Sequence, residues 1–254
     1  MAKPILVANW KNHPGSLAEA KALLKGLSKE ARLYKNLSLF IAPPAPYLEL
    51  AALKARNFAR LACQDMAAFS QGTYTAMLTP DILKSLGVRL AIIGHSERRA
   101  LGETSAQVVD KVKVALRAGI VPLVCIGEQA RDVDGEHFDI LREELKSSLS
   151  GLNAKTARGI IIAYEPVWVI GKSAKDALPP AELAQTVIFL KKQLSDLYGR
   201  SVAESIPILY GGAVEPENAG ALMRETYIKG FLVGHASLKP ESFKSIAESL
   251  LTKI

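Results

Sequence analysis

The chain has 254 residues, 49% of them from the hydrophobic set and 22% charged, with a formal net charge of +7. That balance excludes an extended disordered protein, and two widely spaced cysteines, Cys63 and Cys125, exclude a disulfide scaffold or a cysteine zinc centre. No apolar run approaches the ~18 residues of a membrane span, residues 1–20 carry no leader pattern, and the basic residues are scattered without interleaved aromatics. The expectation is therefore a cytoplasmic protein that binds neither membrane nor nucleic acid.

Two signals alternate along the chain. An apolar run at residues 5–8 is followed by Ser16-Leu17-Ala18-Glu19, a capping-box pattern opening a helix with Leu17, Ala20, Leu24 and Leu27 at helical spacing. A run at 37–42 precedes a helix predicted over 47–55. A run at 59–63 leads into a long connection from Asp65 to Leu78. Thr79-Pro80-Asp81 then reads as a cap before a proline at the first helical position. A run at 90–93 precedes a helix over 104–118, stopped by Gly119. Runs at 120–126, 159–164, 206–210 and 230–233 then alternate with helices over 137–149, 181–198, 217–223 and 241–251.

The eight runs are apolar throughout, as parallel strands covered on both faces require. Strand–helix units of about 32 residues match the ~30-residue βα unit. No linker divides the chain, so the expectation is one α/β domain over 1–254, a (β/α)8 barrel. The alternative, a doubly wound open sheet, lacks a G-x-G-x-x-G after the first run.

In such a barrel the C-terminal strand ends carry the chemistry. Here they read Asn9-Trp10-Lys11, Gly94-His95-Ser96-Glu97, Glu165-Pro166, Gly211-Gly212 and Gly234-His235. Taken singly, Lys11 is an ordinary solvated loop residue, His95 a structural histidine, Glu165 a turn cap, and the glycines residues of tight turns. Together, a cation, an imidazole and a carboxylate at one mouth suit proton transfer beside a carbonyl. Glycine turns after the last two runs suit a phosphate, because bare backbone N–H groups can approach it.

These segments resemble the triosephosphate isomerase family. The resemblance rests on Ala8-Asn9-Trp10-Lys11, Ile93-Gly94-His95-Ser96-Glu97-Arg98-Arg99, Val124-Cys125-Ile126-Gly127-Glu128, Ala163-Tyr164-Glu165-Pro166-Val167-Trp168, Ile170-Gly171, Tyr210-Gly211-Gly212 and Gly230-Phe231-Leu232-Val233-Gly234, in the family's order across the whole chain. It implies a TIM barrel, a homodimer, no cofactor and no metal. It also implies an aldose–ketose isomerase of glycolysis and gluconeogenesis that interconverts dihydroxyacetone phosphate and D-glyceraldehyde 3-phosphate.

By this resemblance Glu165 is the base, His95 the neutral electrophile and Lys11 the stabilising cation, the family itself being the standard illustration of such pKa tuning. Asn9 orients substrate and Glu97 stands near Lys11. A helix beginning at Ser96 would oppose a cation on His95. The resemblance assigns substrate and phosphate binding to Asn9, Lys11, Gly171, Ala213, Gly234 and His235. Its lid covers Pro166, Val167, Trp168, Val169, Ile170, Gly171, Lys172, Ser173, Ala174, Lys175 and Asp176, and the family is also a standard illustration of closure that excludes water. Ile170 and Leu232 match an apolar pair over Glu165. Thr75 matches the tip of a loop that enters a partner's pocket, which His13 would line.

The chain departs from the family in places. Val169-Ile170-Gly171-Lys172-Ser173-Ala174 replaces the lid's usual Ala-Ile-Gly-Thr-Gly-Lys, Ala213 replaces a serine, His235 a glycine, and Ala76-Met77 a Gly-Glu pair. His235 is expected to point outward and leave only its N–H for the phosphate. Two other readings are an isomerase of another phosphosugar, such as a tetrulose phosphate, and an idle barrel used for binding.

Overall fold

The computed structural model describes residues 3–252 apart from Gln71, Thr73, Val133 and Ser173. The apolar runs form β1 (Ile5–Asn9), β2 (Ser38–Ala42), β3 (Arg60–Cys63), β4 (Val88–Ile93), β5 (Val121–Ile126), β6 (Ile161–Tyr164), β7 (Ile208–Tyr210) and β8 (Gly230–Val233). They are parallel and close in sequence order into a barrel, with β8 pairing back onto β1 from Ile5↔Gly230 to Ala8↔Val233. Around them run α1 (Leu17–Ser28), α2 (Ala31–Tyr34), α3 (Leu48–Ala55), α4 (Pro80–Ser85), α5 (Ser96–Ala100) and α6 (Ser105–Ala118). The ring continues with α7 (Glu136–Ser148), α8 (Ala154–Ala157), α9 (Pro180–Tyr198), α10 (Arg200–Ser205), α11 (Pro216–Glu225) and α12 (Pro240–Leu251). The architecture is the expected (β/α)8 TIM barrel.

The apolar runs lack alternation because both strand faces are buried. Val7, Phe40, Ala62, Leu90, Leu123, Ala163, Leu209 and Leu232 fill the barrel interior. Their neighbours Leu6, Leu39, Leu61, Ile162 and Ile208 pack under the helices. All strands run the same way, so every C-terminal end reaches one mouth. The predicted bounds hold at β8 and shift by one or two residues elsewhere. β4 starts earlier than expected, because Gly87, at φ +82°, completes the turn that delivers Val88 to the sheet.

The predicted caps form unevenly. Ser16 Oγ accepts from the Glu19 N–H at 3.3 Å, but Glu19 does not return the bond, so the expected capping box is half made. Pro80 opens α4 as expected, yet Thr79 makes no side-chain cap bond. A full capping box appears at Thr104 and Gln107, and Gly119, at φ +72°, ends α6. The short helices α2, α8 and α10 were not anticipated, since one turn shows no 3.6-residue period. At the N-terminal end of the barrel a Cβ on Gly230 would sit 1.7 Å from the Ile5 carbonyl oxygen, so β8 meets β1 only with glycine there. The Arg60 guanidinium lies 5.7 Å from the Phe40 ring centroid at that end. Among the described residues no helix is long and apolar enough to cross a membrane.

Candidate active site

Lys11 follows β1 in a left-handed conformation, φ +52°, which strains any residue with a side chain by roughly 1–3 kcal/mol. Two contacts hold it there. The buried Asn9 accepts from the Lys11 N–H through Oδ1 at 3.1 Å. Gln64 Nε2 donates to the Lys11 carbonyl at 2.8 Å and to that of Ala42 at 2.9 Å. Lys11 Nζ then reaches Glu97 Oε1 at 2.6 Å. Gln64 was not singled out from the sequence, although a polar residue directly after β3 was a readable signal at a strand end.

His95, at the end of β4, is the N-cap of α5 and is 6% exposed. Its Nδ1 accepts from the Glu97 N–H at 3.2 Å. That bond uses the Nδ1 lone pair and so assigns the ring proton to Nε2. Nε2 lies 3.2 Å from Glu165 Oε1. The helix start expected at Ser96 is present, with the ring at its positive end.

Glu165 follows β6 and is 1% exposed. Its Oε2 accepts from the Ser96 N–H at 3.2 Å. Among the described residues Oε1 is buried without a hydrogen-bond partner, with His95 Nε2 beside it. Gly211 clears space for this carboxylate, since a Cβ there would come within 2.9 Å of Glu165 Cγ. On Gly212 it would come within 2.3 Å of the Tyr210 hydroxyl. The glycine turn after β7, expected to suit a phosphate, also makes room for Glu165 and Tyr210, and the Gly211 N–H is spent on the Tyr164 carbonyl at 2.8 Å. Below the carboxylate lies the buried Cys125, whose thiol is pushed well up by burial and by the charge of Glu165.

These groups face a cavity of about 240 Å³. Asn9, Lys11, His95 and Glu165 line it, with Ile170 and Leu232. Gly171, Ala213, Gly234 and His235 line it as well, and a Cβ on Gly234 would lie 3.5 Å from Lys11 Cε. Among the described residues, no acceptor takes the backbone N–H groups of Gly171, Ala213, Gly234 or His235. Convergent free N–H groups are what an anion requires. Ala213 is buried, its carbonyl taken by Asn218 Nδ2 at 2.8 Å, while His235 is exposed at the rim. His13 and Lys172 also line this cavity. His13, expected beside a partner's loop, also lines the neighbouring cavity beside Lys11 and Gln64.

The segment that matches the family's lid carries short 3₁₀ turns at Val167–Val169 and Ala174–Asp176, while Ser173 lies outside the described residues. Its leading end is tied to the fully buried Glu128. The Glu128 carbonyl accepts from the Val167 N–H at 3.0 Å, and its Oε1 accepts from Trp168 Nε1 at 3.1 Å and from the Tyr164 hydroxyl at 2.8 Å. Its trailing end is tied by the Leu178 N–H to the Tyr210 hydroxyl at 3.4 Å. Thr75 sits on an exposed turn beside Ala76, at φ +64°, and does not line the cavity.

The sequence matches the triosephosphate isomerase family model over residues 4–250. A triosephosphate isomerase of Citrifermentans bemidjiense is 40% identical over 250 residues, covering 97% of this chain and 98% of its own. One of Herpetosiphon aurantiacus is 38% identical over 246 residues, 96% and 97% of the two chains. One of Dictyoglomus thermophilum is 36% identical over 256 residues, 98% and 100%. The match runs through the whole barrel, from β1 with its lysine to the last helix, and the chain belongs to the triosephosphate isomerase family.

Proposed function

We propose that Glu165, His95 and Lys11 carry the isomerisation in this chain and that Gly171, Ala213, Gly234 and His235 hold the substrate's phosphate. The chain is an aldose–ketose isomerase that interconverts dihydroxyacetone phosphate and D-glyceraldehyde 3-phosphate, a reaction of glycolysis and gluconeogenesis. The observation that carries the assignment of roles is the buried Glu165 Oε1, unpartnered among the described residues and beside His95 Nε2, in a cavity that free backbone N–H groups also line.

Glu165 takes the C1 proton of the ketose on a carboxylate oxygen. The C1–H electron pair moves into a C1–C2 double bond, and the carbonyl oxygen becomes an enediolate oxygen. The Nε2–H of His95 donates to that oxygen, and the Lys11 ammonium opposes the developing charge. Proton exchange between the two oxygens through His95, and return of the proton from Glu165 to C2, give the aldose. The lid covers the base with Ile170, keeps water out and protects the enediolate phosphate from elimination. Asn9 supports this by fixing the Lys11 backbone, and Glu97 by fixing its ammonium.

We read the chain as one domain over 1–254, working in the cytoplasm as a homodimer. Exposed Tyr74, Met77 and Leu101 support the dimer, as does a cavity of about 590 Å³ beside Lys11 that Gln64 and Glu97 also line. Thr75 is its proposed contact. Light scattering should give twice the chain mass. A coupled assay in both directions, with a tetrulose phosphate for comparison, tests the whole reading. Turnover of triose phosphate that Glu165→Gln removes is the expected result, and an active Glu165→Gln enzyme overturns the assignment of the base.

A further inference from the structure

The proposed mechanism does not use Arg99, yet this residue reaches the backbone beneath both of its central groups. Arg99 lies on α5 with its side chain 16% exposed. Nε donates to the Gly94 carbonyl at 2.9 Å and pairs with Glu144 Oε1 at 2.8 Å. Nη1 donates to Ser105 Oγ at 3.2 Å, and Nη2 to the Cys125 carbonyl at 3.3 Å and Ser148 Oγ at 3.0 Å. Glu144, on α7, completes the assembly by accepting from the Gly127 N–H through Oε2 at 2.9 Å. Burial raises the Glu144 carboxyl while Arg99 pulls it down.

The ends of this network matter most. Gly94 precedes His95. Cys125 and Gly127 flank Ile126, whose carbonyl accepts from the Glu165 N–H at 2.8 Å. Gly127 is pressed so closely on the base that a Cβ there would lie 1.7 Å from the Glu165 carbonyl oxygen. One guanidinium therefore ties the end of β4, which carries His95, to the end of β5, on which Glu165 rests. Gly94, Arg99, Glu144 and Glu165 line one small cavity of about 10 Å³.

We propose that Arg99, through its half-buried pair with Glu144, is a positioning residue that sets the spacing between Glu165 and His95. This rests on the roles proposed above for those two groups. A planar fork fixes several acceptors at once, which a lysine's point charge cannot do. Misplacing reacting groups by ~1 Å costs about 100-fold in rate. A stability role alone predicts a lower melting temperature with unchanged chemistry, because a buried ion pair is weak evidence of more.

The test compares Arg99→Lys, Arg99→Met and Glu144→Gln with the parent, each checked for fold by circular dichroism and melting. Ser249→Ala and Tyr198→Phe serve as controls that remove hydrogen bonds outside this network. In the first three, kcat is expected to fall about 10–100-fold with KM within about two-fold, in the pattern of an interaction made for the transition state. The acid limb of the kcat profile should also move to higher pH in Arg99→Met. That variant removes a cation facing Glu144 from α7, Cys125 from β5, and Glu165 and Glu128 beside them. The controls should keep kcat and the profile. Folded Arg99→Lys and Glu144→Gln enzymes that melt lower but keep the parent's kcat, KM and pH profile would overturn the proposal, even where Arg99→Met does not fold. The ¹⁵N shifts of the His95 ring read the same spacing without turnover, moving in Glu144→Gln and not in Tyr198→Phe. An inactive parent would therefore refute the catalytic roles and leave the clamp decided by the spectra, where unmoved shifts in Glu144→Gln count against it.

Discussion

The two sets of groups that line the cavity, its proposed acid–base side and its proposed anion side, are built differently. The acid–base side is made of side chains on β1, β4 and β6, each with a partner that fixes its direction: Asn9 and Gln64 for Lys11, the α5 start for His95, Ser96 and Gly211 for Glu165. The anion side is made of backbone N–H after β7, after β8 and in the lid. Every residue but proline supplies an N–H. A backbone site therefore tolerates sequence change that a side-chain site does not. Three of the chain's departures from the family pattern, Ala213, His235 and Lys172, fall on the proposed anion side, Ala76 and Met77 lie outside the cavity, and Lys11, His95 and Glu165 are unchanged.

The comparison breaks if substitutions on the two sides have similar effects. The largest loss belongs to Glu165→Gln, which keeps the shape and removes the proton acceptor. A fall of roughly 10²–10⁴-fold in kcat is expected, the usual contribution of a positioned base, measured in steady state with KM little changed. His95→Gln should come next, by loss of the Nε2–H aimed at the carbonyl oxygen. On the anion side, Ala213→Ser adds one hydroxyl. One neutral hydrogen bond is worth about 0.5–1.5 kcal/mol, or roughly 2–13-fold tighter binding, read by titration with inorganic phosphate. His235→Gly keeps the N–H and should change affinity by less than about two-fold. A loss that grows below pH ~6.5, where free histidine is protonated, would make the imidazole a phosphate ligand.

The smallest expected effect sharpens the contrast between a dry side and a wet one. Cys125 under Glu165 and Cys63 in β3 are buried, and burial pushes the Cys63 thiol up to about 12. Neither should react with iodoacetamide at pH 8 while the chain is folded. The sign of the linked stability follows. Between the ordinary 9.0 and about 12 the unfolded thiol has lost its proton and the folded one has kept it. The folded state then binds more protons, and stability falls as pH rises through that window. Cys63→Ala should flatten this alkaline slope in thermal melts.

The barrel was legible because burial on both strand faces leaves an unbroken apolar run, and eight such runs at regular spacing have few other solutions. The acid–base residues were legible because each is a polar residue at the end of such a run. Gln64 met the same rule after β3 and was passed over, since an amide announces no chemistry by itself. The role of Gly211 and Gly212 was hidden for a different reason: a missing side chain does not say whether it clears space for a ligand or for a neighbour. Only the distance from Gly211 to Glu165 decides it. The half-buried tie from Arg99 to Glu144 was equally unreadable, because the two residues meet only when α5 and α7 pack on the same strands.

The seam between β1 and β8 bears on how the molecule is made. Ile5 pairs with Gly230, so one edge of the first strand waits for almost the last part of the chain to leave the ribosome. Until then β1 and the growing sheet present open, apolar edges of the kind that capture other chains. Gly230 is the position where that wait ends, and a Cβ there would collide with the Ile5 backbone. A nascent chain stalled before Gly230 is thus an unclosed sheet, with the edge of β1 still waiting for β8.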